Sequence, residues 1–230
     1  MPYLYGFDTG FLLFFIPAMI LAMYAQFKVQ NTFAKYLKVP NRKGYTGVEV
    51  ARYILDANGL NDVRIERIPG ALTDHYDPSK RVLRLSEPVY SKSSIASISV
   101  AAHESGHAIQ HQQGYFPLIA RNALVPVVNF SAQFTWILII LGLIMSSGSL
   151  INAGIILFSA AVLFQIITLP VEFNASHRAL AMLSQSGIIS DDERPKSRAV
   201  LSAAALTYVA AAAVSIAQLL RLLLIRGNRD

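Results

Sequence analysis

Cysteine is absent from the chain, which excludes a disulfide framework and any thiolate metal site. A metal bound here must be held by His, Asp or Glu. Charge is scarce too: Asp, Glu, Lys and Arg make up 15% of the 230 residues, against 53% hydrophobic. That is too little charge for a soluble globular domain. It points to one composite domain, residues 1–230, of membrane helices and a small polar part. The charge that remains leans positive, a formal +6. Nucleic acid would explain such a surplus, but Lys and Arg gathered at the cytoplasmic ends of membrane spans explain it equally well. With this composition the bilayer is the expected partner and nucleic acid is not.

Two long runs lack charge altogether, VVNFSAQFTWILIILGLIM (127–145) and LINAGIILFSAAVLFQIIT (150–168). Only SSGS separates them, so 127–168 is expected to form a tight transmembrane hairpin with no ion pathway. An earlier run, GFLLFFIPAMILAMYAQF, gives a first span over 8–27. Its basic residues follow rather than precede it and no cleavage site is evident, so it reads as a retained anchor. A fourth, Ala-rich run at 202–220 either spans or packs as a buried helix.

Lys28, Lys35, Lys38, Arg42 and Lys43 all follow the first span. That puts 28–126 and 169–201, the polar segments, on the cytoplasmic side of a multi-pass cell-membrane protein. Arg221, Arg226 and Arg229 strain this rule at the carboxyl end.

Residues 40–114 are polar enough to form a small α+β unit. TGVE at 46–49 is a capping box that opens a helix running to about Asn58. VRIERI at 63–68 alternates as a half-buried strand does. LTDHYDPSKRVLRLS at 72–86 reads as a β-hairpin turning at Asp77-Pro78-Ser79-Lys80. A helix follows over 94–113, ended by Gly114. The expected fold is therefore mainly α and integral to the membrane. About four transmembrane or membrane-buried helices carry a small α+β domain with a hairpin edge strand.

The 94–113 helix holds His103-Glu104-Ser105-Gly106-His107. Histidines four apart on a helix share a face, one turn apart, so both rings can reach one zinc ion. Glu104 flanks the open side, where it can take a proton from water and pass it to a leaving amine. With 5 His among 230 residues, chance makes an HExxH motif in roughly 0.3% of such chains. Zn2+, one per chain, is the expected cofactor.

Two histidines leave one protein ligand to find. His111 lies about 12 Å along the axis from His103, too far for one ion. Glu172 in LPVEFNASHRAL follows the third span closely, where a charge is costly without a partner. Asp74, His75 and Asp77 in the hairpin remain weaker alternatives.

HExxH, a membrane hairpin and then Glu-Phe-x-Ala resemble the integral-membrane gluzincins of the HtpX and CAAX-prenyl-protease group. The closer resemblance is to YugP-like membrane zinc metallopeptidases. LTDHYDPSKRVLRLSE, AAHESGHAIQH, LPVEFNASHRAL and the less specific ALTYVAAA carry it across most of the chain. It implies His103, His107 and Glu172 as zinc ligands, in the helix 94–113 and a third-ligand helix over 169–187, and Glu104 as general base. It also implies that the hairpin, through Thr73, Asp74, His75 and Tyr76, offers an edge strand to an extended polypeptide substrate.

One position departs from the pattern. HtpX-type proteases place an Asp four residues after the ligand Glu, and here Ser176 stands there beside Asn174 and His177. Ser176 and Asn174 can still hydrogen-bond, but without charge. The oxyanion stabiliser is open among His177, Arg178, Tyr208 and Tyr76.

The function that follows is a membrane-embedded zinc endopeptidase. Two other readings stand beside it: a non-catalytic membrane adaptor or scaffold with a structural metal or none, and zinc hydrolysis of a non-peptide substrate. The sequence leaves open a membrane-protein substrate, a homo-oligomer and a membrane-protein partner.

Overall fold

The computed structural model describes residues 11–227. Positions 8–10 of the first expected span lie outside the described residues. The order is a π-helical turn Phe11–Phe15, α1 (Ile16–Tyr36), α2 (Gly47–Ala57), β1 (Arg64–Ile68), β2 (His75–Asp77), β3 (Val82–Ser86), α3 (Glu87–Ser91), α4 (Ile95–Gln112), α5 (Phe116–Ile144), α6 (Gly148–Gln185) and α7 (Arg194–Gly227).

Among the described residues, four helices are long and apolar enough to cross a membrane: Leu12–Tyr36, Phe116–Ile144, Gly148–Gln185 and Arg194–Gly227. The fourth, at 34 residues, exceeds the roughly 20 that a crossing needs. The sequence suggests a boundary at Pro170, between the third span and a separate helix. The structure shows one helix, α6, running through Pro170 for 38 residues. In an apolar setting the carbonyls that a proline frees can be satisfied by neighbouring groups. Glu172 therefore sits in mid-helix rather than at a helix start.

The chain divides into two compact units. The first takes Met1–Gln26, Ile119–Pro170 and Thr207–Asp230. In it α5 and α6 approach closely at glycines, since a Cβ on Gly154 would stand 2.5 Å from Ile139 Cγ1 and one on Gly142 2.7 Å from Ile151 Cγ1. A small core of Ile139, Ile151, Ile155 and Leu222 joins α7 to this pair. Ile140, Ile144 and Ile156 point outward, an apolar face that lipid tails would solvate without cost.

The second unit takes Phe27–Leu118 and Val171–Leu206. Its sheet has the order β1-β3-β2. β1 pairs with β3 in parallel and β2 pairs with β3 antiparallel, so β2 lies at an edge. The hairpin turn is held by Asp77, whose carboxylate accepts from the amides of Ser79 (3.0 Å) and Lys80 (3.1 Å). Leu83 and Leu85 of β3, Ile54 and Leu55 of α2, Ile98 and Ala102 of α4 and Leu183 of α6 share one core. That core buries α4 almost all round, from Ile95 to Gln110. Local chemistry starts the helices as the sequence suggests. Thr46 and Glu49 form the capping box of α2, and the Ser94 hydroxyl accepts from the Ser97 amide at the start of α4 (3.1 Å).

Candidate metal centre

His103 and His107 stack one turn apart on α4 with ring centroids 4.8 Å apart, edge to face. Glu172 of α6 comes between them: its Oε2 lies 3.2 Å from His103 Nε2 and 3.6 Å from His107 Nε2. One ligand atom from each of the three residues falls within 4.8 Å of the others. Glu172 is 3% exposed and each histidine 9%. Two imidazoles and a carboxylate with no thiolate form a donor set that suits catalytic zinc, with a position left for water or substrate. The residues present fit the ion that the motif implies.

Each histidine's other nitrogen is also engaged. His103 Nδ1 lies 3.2 Å from the Ser176 hydroxyl. His107 Nδ1 lies 2.9 Å from Gln110 Oε1. Burial disfavours the charged ring of His107, but the Glu172 carboxylate and the field of Glu104 outweigh burial and raise its pKa. A metal ion would compete with a proton for that ring.

Every letter of the pentapeptide has a place. Glu104 is 8% exposed and follows His103. Ser105 donates to the Ala101 carbonyl (2.8 Å). Gly106 lets α4 approach α6, because a Cβ there would stand 3.0 Å from the Ala175 carbonyl oxygen.

The hairpin residues divide by face. Asp74 turns inward and accepts from the Ser86 amide (2.7 Å) and hydroxyl (3.0 Å). Burial raises its pKa, the Ser86 amide opposes that, and the negative field of Glu104 raises it further, with a net upward shift. Tyr76 points toward α4, its hydroxyl 3.0 Å from His111 Nδ1. Thr73 and His75 face solvent: Thr73 donates to the Pro69 carbonyl (3.1 Å), and His75 Nε2 meets Arg84 at 3.3 Å. His111, which axial distance excludes as a ligand, thus tethers the edge strand.

Of the other site candidates, Asn174 and Ser176 join the cluster. Arg178 donates to Asn174 (2.7 Å) and to Gln113 (2.7 Å). His177 is exposed on α6. Tyr208 is half-buried on α7 and belongs to the first unit. Gln110 was not among the residues that the sequence singles out. A polar residue three positions after His107 is the only signal it offers.

The chain matches a family model described as "Putative neutral zinc metallopeptidase" over residues 11–227. It is 55% identical over 218 residues to "Putative membrane protease YugP" of Bacillus subtilis (strain 168), covering 95% of this chain and 97% of that protein. No solved structure matches it.

Proposed function

The chain belongs to the YugP-like family of membrane zinc peptidases, and we propose that within it this protein is an endopeptidase of the gluzincin type with Glu104 as general base. The observation that carries this reading is the convergence of His103, His107 and Glu172 on one point, beside a carboxylate that a purely structural metal would not need.

In this reading His103, His107 and Glu172 hold one zinc ion. Zinc supplies Lewis acidity and lowers the pKa of water when bound. Glu104 takes the proton from the attacking water and delivers it to the leaving amine. The free edge of β2 aligns an extended peptide by main-chain pairing, with Asp74 holding the start of that strand to β3. Burial around the ligands keeps bulk water from competing. The third-span run ends at Thr168 and Glu172 follows four residues later, which supports a site close to the bilayer. The basic residues after the first span support the cytoplasmic side.

Metal analysis of the purified protein and a Glu104→Gln variant test this. Stoichiometric zinc in both, with peptide hydrolysis only in the parent, is the expected result. Zinc-free protein would favour the adaptor reading, and full activity in Glu104→Gln would remove the general-base assignment.

A further inference from the structure

Gln110 is fully buried, with 0% of its surface exposed, and all of its side-chain hydrogen-bonding atoms are engaged. Its Nε2 donates to the Val171 carbonyl (2.9 Å) and to Asn174 Oδ1 (2.9 Å). The first partner is a backbone carbonyl, which only accepts. The second is identified as oxygen by Arg178, whose guanidinium only donates and whose Nε lies 2.7 Å away. The amide can therefore stand only one way round, with Oε1 toward His107 Nδ1 at 2.9 Å. An amide oxygen only accepts, so Nδ1 carries the hydrogen of the neutral ring and Nε2 keeps its lone pair. That Nε2 is the atom facing Glu172.

The same side chain reaches the other ligand helix. Val171 and Asn174 bracket Glu172 on α6, so the amide that aims His107 also grips the turn that carries the third ligand. A carboxylate at this position would set its oxygens against the Val171 carbonyl and Asn174 Oδ1. A neutral donor–acceptor is the group that satisfies both sides.

We propose that Gln110 is a positioning residue for the metal, a neutral strut that selects the free ring nitrogen of His107 and holds it in register with Glu172. Arg178 and Asn174 act behind it by fixing which way the amide points. The inference rests on the zinc reading of the site, and its test reads metal binding without any peptide substrate.

The full chain in detergent is titrated with Zn2+ against a competing chelator, and with Co2+, whose visible absorption reports ligand geometry. Gln110→Met, similar in volume but without the hydrogen bonds, is expected to bind Zn2+ about 10- to 100-fold more weakly and to alter the Co2+ spectrum. Asn174→Leu, which leaves His107 untouched, is expected to show a smaller loss. The double variant should lose no more than Gln110→Met alone, because both act through one strut. Ile98→Val thins the packing of the same helix and serves as the control. It is expected to lower the melting temperature while keeping Zn2+ affinity.

Parent-like affinity and spectrum in Gln110→Met would overturn the inference. So would strictly additive losses in the double variant, or a Gln110→Met loss matched by the Ile98→Val control. Failure of the parent chain to bind Zn2+ would overturn the zinc reading itself, and the inference with it.

Discussion

Gly106 of α4 faces the backbone of Ala175 on α6 so closely that a Cβ would stand 3.0 Å from its carbonyl oxygen and 3.4 Å from its Cα. The obstructing atoms are backbone, which cannot swing aside. Gly106→Ala must therefore part α4 and α6 by a few tenths of an ångström. We expect a loss of about 1–3 kcal/mol of stability from overpacking, with a clear drop in zinc affinity. Thermal unfolding of the metal-free chain and chelator competition measure the two effects separately.

Metal removal should be visible in stability. Zinc would bind the folded site and gain little from the unfolded chain, so free zinc at 100 times its dissociation constant adds about 2.7 kcal/mol. A chelator should lower the melting temperature accordingly, and Glu172→Ala should abolish the difference between zinc-loaded and stripped protein. If stripped and loaded chains melted together, the cluster would not be a metal site.

Tyr76→Phe removes the hydroxyl that bonds His111 across 3.0 Å and leaves the ring in place. Losing one such bond costs about 0.5–1.5 kcal/mol, which should appear as a rise in KM of roughly 2- to 10-fold. Zinc content should not change, because neither residue is a ligand. A variant that lost zinc instead would make this pair part of the metal site rather than of the substrate edge.

Acid should loosen the loop that precedes α7. Glu193 is 2% exposed, and its carboxylate accepts from the Arg42 amide (2.8 Å), the Ser190 amide (3.0 Å) and the Ser190 hydroxyl (2.9 Å). Burial alone would raise its pKa, but these bonds outweigh burial and hold it below the ordinary 4.5. A carboxyl depressed in the folded state stabilises above its unfolded pKa and loses that contribution as pH falls through the folded value. Stability should thus decline below about pH 4.5, and Glu193→Gln should flatten the decline while costing about 1–3 kcal/mol near neutrality. Denaturant melts at stepped pH read both.

Much of this was legible in the chain because it is local. Thr46 and Glu49 announce a capping box, Asp77-Pro78 a turn, and the spacing of His103 and His107 a shared helix face. Glu172 was a candidate because a carboxylate so near an apolar run needs a partner. Other features were not legible. Pro170 reads as a break, since proline costs a helix hydrogen bond in water, yet α6 passes through it. Gln110 draws no notice in the sequence, because its partners Val171 and Asn174 lie 61 and 64 positions away and nothing local announces them. His177 sits next to Ser176 in sequence but one helical step round, which turns it to the exposed side.

If an extended substrate pairs with β2 as proposed, the brevity of that strand sets what it can gain there. Of three residues, His75–Asp77, those whose amides point to β3 are spent, and at most two remain to face an incoming chain. Their bonds are worth about 0.5–1.5 kcal/mol each, against an association cost of about 4–15 kcal/mol. Such an edge aligns a peptide but does not retain it. Residence must come from elsewhere, either from side-chain contacts near the metal or from delivery along the bilayer, where a tethered substrate has already lost much of its freedom. A soluble peptide of matching sequence would then be a poor substrate, and the same segment on a membrane anchor a good one.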